Sequence, residues 1–200
     1  QIYRDAAGDI CCAGDAAPTM ALHRLSFQRG NEVHLKLLAE SPEEISANIN
    51  TFSLHRTLYS VLGFSGGRSL DRELASARGA DAPLSVHVHR LLGILDVLET
   101  FHRSGFLHLD ISPDNILLIG DGRRERITLI DYNSVHTLWE IRQGEAVYYS
   151  LKDGYTAQEV RAGKLAEIGY PADLYALTAV FYRMLSGQDL SILQTVRGQA

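Results

Sequence analysis

Residues 108–115 read HLDISPDN, and LIDYN follows at 129–133. Asp110 stands two residues after a histidine and five before Asn115. Asp131 lies beyond two short apolar runs, NILLI and ITLI, which GDGRRER separates. Those runs predict a hairpin with strands at 116–119 and 127–130. In an antiparallel pair the start of one strand lies beside the end of the other, with facing residues about 4.5–5.5 Å apart. Asn115 and Asp131 therefore meet at one mouth of the hairpin, and Asp110 enters that mouth in a loop restricted by Pro113. An amide oxygen and a carboxylate are hard ligands that suit Mg²⁺ better than zinc. With a third oxygen-bearing side chain beside them, the set matches metal-assisted phosphoryl transfer. Two groups hold the metal on nucleotide phosphates, and the third orients an attacking hydroxyl and takes its proton.

The surrounding chain has to position these groups. Apolar residues make up 46% of 200, enough to bury a core as one domain or two small lobes. The net charge of −5 with scattered arginines argues against nucleic acid or an acidic membrane surface as the main partner. No apolar run approaches the roughly 20 residues that span a bilayer. Cys11 and Cys12 are adjacent, so a disulfide framework is not expected and a reducing, cytoplasmic setting is. IYRDAAGDICC predicts a hairpin turning at DAAGD, and Val33, Leu35, Leu37 and Leu38 predict a helix over 26–38. TLYSVLGF (57–64) predicts a strand, and SLDREL (69–74) the start of a short helix. Leu84, Val88, Leu91, Leu92, Leu95, Leu98 and His102 recur at helical spacing over 84–103. Leu174, Leu177, Val180, Phe181, Met184 and Leu185 do the same over 172–186, and 132–157 reads as irregular. Strands fall mainly early and helices late, which predicts an α+β chain.

The ordered series resembles the protein kinase family. HLDISPDNILL is similar to the catalytic loop H-R-D-x-K-P-x-N, and LIDYN to the D-F-G element. FHRSGFLHLD resembles the helix and short loop that enter the catalytic loop. GYTAQEV resembles the A-P-E end of the activation segment, giving Glu159. PADLYALTAVFYRMLSG resembles the helix whose aspartate, here Asp173, anchors the catalytic loop's backbone. NEVHLKLL resembles the N-lobe helix with its ion-pairing glutamate at Glu32. LYSVLGFSGGRSL resembles the last N-lobe strand and hinge, where Leu62, Gly63 and Ser65, together with Leu117, contact nucleotide. The likeness runs from about residue 26 to 187.

It implies a two-lobed fold, with a partial N-lobe sheet at 1–64 and a mainly helical partial C-lobe at 65–200. It also implies ATP and Mg²⁺ as cofactors and a protein substrate carrying a Ser or Thr hydroxyl rather than Tyr. Asp110 is then the base, Asn115 and Asp131 the metal ligands, and His108 and Tyr132 internal packing positions. Two other readings share these residues: a pseudokinase that binds without turnover, and a small-molecule phosphotransferase of the aminoglycoside-kinase type. GYTAQEV and the Asp173 helix favour the protein kinase over the latter.

Several positions depart from the pattern. Leu109 replaces the arginine that meets a phosphorylated activation loop, so control by that route is not expected. Ser112 replaces the lysine that touches the transferred phosphate, and Lys152, just before DGYTAQE, is the cation within reach. Asn133 replaces the glycine of D-F-G and is the residue type best suited to a glycine-like φ. Gln158 replaces the proline of A-P-E. No G-x-G-x-x-G precedes Glu32 and no lysine precedes Lys36, and GGRS lacks the spacing of a phosphate loop. The phosphate-covering loop and nucleotide lysine are thus expected before Gln1 or not at all, and the chain reads as a kinase-like domain truncated at both ends.

Overall fold

The structure is a computed structural model describing residues 2–4, 10–12, 16–43, 45–55, 57–63, 66–76, 79, 82–120, 125–144 and 149–190, with side chains from residue 21 onward. Strands β1 (Ile2–Arg4) and β2 (Ile10–Cys12) pair antiparallel, Tyr3 opposite Cys11. The DAAGD turn and Ser65 lie outside the described residues. Helix α1 (Ala16–Glu40) begins well before the predicted start at 26. Polar contacts that apolar spacing does not report hold its middle turns. Ser26 Oγ donates to the Asn133 carbonyl at 2.6 Å, and Arg29 reaches the Glu140 carboxylate and the Val135 carbonyl. The helix stops at Glu40, as expected with Pro42 two residues on, because proline disfavours helical backbone in the residue before it, here Ser41.

Strands β3 (Asn48–Leu54) and β4 (Thr57–Leu62) form a hairpin. Only β4 is legible in the sequence, because β3 is almost wholly exposed and its NINTFSL carries no buried alternation. Next come β5 (Arg68–Ser69), α2 (Leu70–Leu74), α3 (Leu84–Arg103) and β6 (Phe106–Leu107). Strands β7 (Ile116–Ile119) and β8 (Arg126–Leu129) pair with Ile116 opposite Leu129, and β5 adds to the far side of β7. A short strand β9 (His136–Thr137) pairs with β6. It leads into α4 (Leu138–Gln143), inside the stretch expected to be irregular. The local signal was present: Thr137 and Glu140 form a capping box, each side chain bonding the other's backbone N–H. Helices α5 (Gln158–Arg161) and α6 (Tyr170–Ser186) complete an α+β chain.

The main core joins Val33 and Leu37 of α1, Ile94, Leu98 and Phe101 of α3, Ile116, Leu118 and Leu129 of the hairpin, and Leu177 and Val180 of α6. Burying each such side chain contributes about 1.5–3 kcal/mol. The buried stripes are rotated from those the spacing predicts. Leu84, Val88 and Leu92 of α3 are exposed, and so are Leu35, Leu174 and Leu185. On α3 the inward face includes His87 and Arg90 instead. Arg90 is buried because Glu73 and Glu125 bond it at 2.9 and 2.7 Å, so a charged residue occupies a core position that a hydrophobicity pattern assigns to solvent.

Gly30 brings α1 against the turn at 132–134. A Cβ there would lie 2.9 Å from the Tyr132 carbonyl oxygen and 3.2 Å from the Asn133 nitrogen, both backbone atoms. We expect Gly30→Ala to destabilise the protein, because overpacking of about 1–3 kcal/mol outweighs the ~0.5–1 kcal/mol that alanine gains in a helix. Urea unfolding measures this as a lower midpoint. An unchanged or higher midpoint contradicts the close approach.

Candidate active site

The loop carrying Asp110 is shaped from below. Asp173, near the start of α6, has no exposure to solvent. Its carboxylate accepts from the backbone N–H of His108 at 2.9 Å and of Leu109 at 2.8 Å, and His102 Nε2 lies 2.9 Å from the same group. Leu109 takes the left-handed φ of +59°, which bends the chain as it enters Asp110. From there a 3₁₀ turn at Pro113–Asn115 runs into β7. Asn115 Nδ2 donates to the Asp110 carbonyl at 2.8 Å, which fixes the amide and leaves Oδ1 as its acceptor pole. The Ile130 N–H donates to the Asn115 carbonyl at 3.0 Å. The residue before Asp131 is thereby tied to Asn115 across the hairpin mouth, as the antiparallel argument requires.

Asp131 itself is exposed and left-handed, φ +65°, with its carboxylate capping the Asn133 N–H at 3.2 Å. The left-handed position expected at Asn133 therefore belongs to Asp131, and Asn133 sits in a 3₁₀ turn where no glycine-like φ is needed. Asp110 and Asp131 line one hollow of about 260 Å³. Asp131 also lines a second of about 220 Å³ with Leu62, Gly30 and His34. Burial pushes the Asp110 carboxyl up to about 6; Asp131 adds to the rise, and the Lys152 ammonium opposes it. Lys152 Nζ donates to Ser112 Oγ at 2.8 Å and Asp114 Oδ2 at 2.9 Å, and lies 3.5 Å from Asp110 Oδ1.

An aromatic column backs the site. The His34 and Tyr132 rings stack at 4.6 Å, and Tyr132 meets Phe101 at 5.5 Å. Phe101 in turn lies 5.3 Å from His108. His108 is fully buried, and burial holds its pKa below the ordinary value, so the ring is neutral filling. Glu159 is half-buried at the start of α5. Gly63 bonds the Ala47 carbonyl at 2.7 Å, and Leu117 is half-buried in β7 opposite Ser69 and Thr128.

Glu32 is the exception. It is exposed and lines a groove with Arg29, Val33, Phe106 and Glu140, away from both hollows that Asp131 lines. Helical geometry explains this: His34 stacks on Tyr132, and the position one turn earlier on the same face is Gly30, two residues before Glu32. The structure does not bring Glu32 together with the other residues expected at the site. Sequence reading missed Gly30 and His34, although an interior helix glycine was the available sign of a close approach.

The family model of the protein kinase domain matches residues 25–198. Serine/threonine-protein kinase PKH3 of Saccharomyces cerevisiae is 28% identical over 152 residues, covering 69% of this chain and 16% of that protein. Serine/threonine-protein kinase C of Synechocystis sp. is 32% identical over 162 residues, covering 77% of this chain and 28% of that protein. The solved structure of PpkA-294 in its apo form aligns with a TM-score of 0.69 at 22% identity, covering 98% of this chain and 66% of that one; this is a likeness of fold. The chain spans less than a third of the length of these curated relatives.

A carboxyl raised to about 6 stabilises the fold most when protonated and loses that contribution as pH rises through 6. We expect Asp110→Asn to be more stable than wild type at pH 7.5, by on the order of 3 kcal/mol at most, with the difference vanishing below about pH 4. Chemical denaturation across that range checks it. A variant equally or less stable at pH 7.5 contradicts the strained burial of Asp110.

Proposed function

The chain belongs to the protein kinase domain family, and from that premise we propose that it transfers the γ-phosphate of ATP to a Ser or Thr hydroxyl of a protein. Residues 1–64 then form part of the N-lobe and 65–200 part of the C-lobe. The observation that carries this reading is Asp110: a buried carboxylate on a backbone pinned by Asp173, facing a hollow shared with Asp131. In this role Asp110 accepts the hydroxyl proton of the substrate and aims its oxygen at phosphorus. The Ser/Thr preference rests on the relatives, which are named Ser/Thr kinases.

The donor chemistry fits Mg²⁺. Among the described residues no group of three or more His, Cys, Asp or Glu is placed to cage a metal. Asn115 Oδ1 and the Asp131 carboxylate are the hard oxygens, and Mg²⁺ is commonly held by one or two such ligands plus substrate phosphates. When bound, the metal neutralises charge on those phosphates. Leu62, Gly63, Leu117 and Ser65 are the positions we assign to the adenine. Glu32 has no part in this account. Among the described residues no helix is long and apolar enough to cross a membrane.

We expect ATP to raise the thermal midpoint of the full-length protein only when Mg²⁺ is present, and Asp131→Asn to abolish that shift. In transfer assays on a peptide library, Asp110→Asn should lower the rate by about 10²- to 10⁴-fold. A Mg²⁺-independent shift, or equal rates, contradicts the assignment.

A further inference from the structure

The catalytic loop carries no cation of its own: Ser112 stands where the family places lysine, and Leu109 where it places arginine. We propose that Lys152, from the segment leading to α5, supplies the positive charge at the point of phosphate transfer. This inference rests on the kinase reading. The ammonium occupies the space at the tip of the Ser112 side chain, 2.8 Å from Oγ, and stands 3.5 Å from Asp110 Oδ1. Any hydroxyl that gives its proton to Asp110 sits within hydrogen-bond reach of that carboxylate, so the phosphate it accepts is brought to the same carboxylate that the ammonium faces.

The segment is built to hold the lysine there. The Thr156 N–H donates to the Lys152 carbonyl at 3.0 Å, and Thr156 Oγ1 accepts from the Lys152 N–H at 2.7 Å. Arg161 Nη2 adds a contact to the same carbonyl at 3.3 Å. Asp114 Oδ2 bonds the ammonium at 2.9 Å from its more exposed side. In the transfer, the acceptor oxygen bonds to the γ-phosphorus as the bond from phosphorus to the β–γ bridging oxygen breaks. The proton passes to Asp110 and ADP leaves with the electron pair. Lys152 faces the charge on the transferred group.

Calorimetry on the full-length protein with Mg²⁺ tests this, using ADP and a non-hydrolysable ATP analogue as ligands. Lys152→Gln keeps a hydrogen-bonding group but loses the charge. We expect it to lower the affinity for the analogue relative to ADP by about tenfold. Lys152→Arg should retain most of the ratio, and Ser112→Lys combined with Lys152→Gln should restore it, together with the transfer rate. A purely structural latch would not be rescued by a charge placed at residue 112. An unchanged ratio in Lys152→Gln overturns the proposal, as does a double variant that binds ADP normally without recovering the ratio. Wild type that binds neither nucleotide overturns the kinase reading, and this inference with it. Normal binding with an unchanged ratio overturns this inference alone.

Discussion

The carboxylate of Asp173 lies wholly inside the protein and accepts hydrogen bonds from two consecutive backbone N–H groups, those of His108 and Leu109. Hydrogen bonds to a charged acceptor contribute about 1.5–3 kcal/mol each, and an unpaired buried carboxylate is strongly destabilising. The chain is therefore held with Leu109 in the left-handed region, a conformation costing roughly 1–2 kcal/mol for a residue with a Cβ. That turn sets the direction in which the chain enters Asp110. Asn115 then closes on the Asp110 carbonyl, and the β7–β8 ladder carries Asp131 to the same mouth. α6 is thus the base on which the loop, the hairpin and the hollow depend.

On that base the charges are arranged in tension. Asp110 is buried near a second carboxylate, and both effects oppose its ionisation; Lys152 eases them from a segment 42 residues further along. The aromatic column of His34, Tyr132, Phe101 and His108 couples α1 to the same loop without any charge. Gly30 lets the helix come close enough for that stack to form. The Asp173 carboxylate and this aromatic column hold the backbone from within, while Asp131 stands exposed at the edge.

The sequence disclosed the hairpin and its mouth because strand pairing converts spacing directly into proximity. Asp110, Asn115 and Asp131 were legible for that reason, and Asp173 through its place in the kinase series. Glu32 lies off the face of α1 that meets the turn at 132–134, because each step along a helix turns a side chain by about 100° and Gly30 and His34 occupy that face. The true inward face of α1 is marked by a glycine and a histidine, neither of which a hydrophobic pattern counts. The buried face of α3 was misread for a similar reason: Arg90 is paired inside, and leucines are left outside. The reach of Lys152 depends on how 149–157 folds back, which its local sequence does not encode by period.

Hydrogen exchange of wild type and Asp173→Ala, read at the His108 and Leu109 amides, tests the dependence on Asp173 most directly. Both amides should be among the slowest to exchange in wild type. That protection should be lost in the variant while the Ile94–Leu98 stretch of α3 stays protected. Retained protection at residues 108 and 109 in the variant would show that something other than Asp173 sets the course of the 108–115 loop.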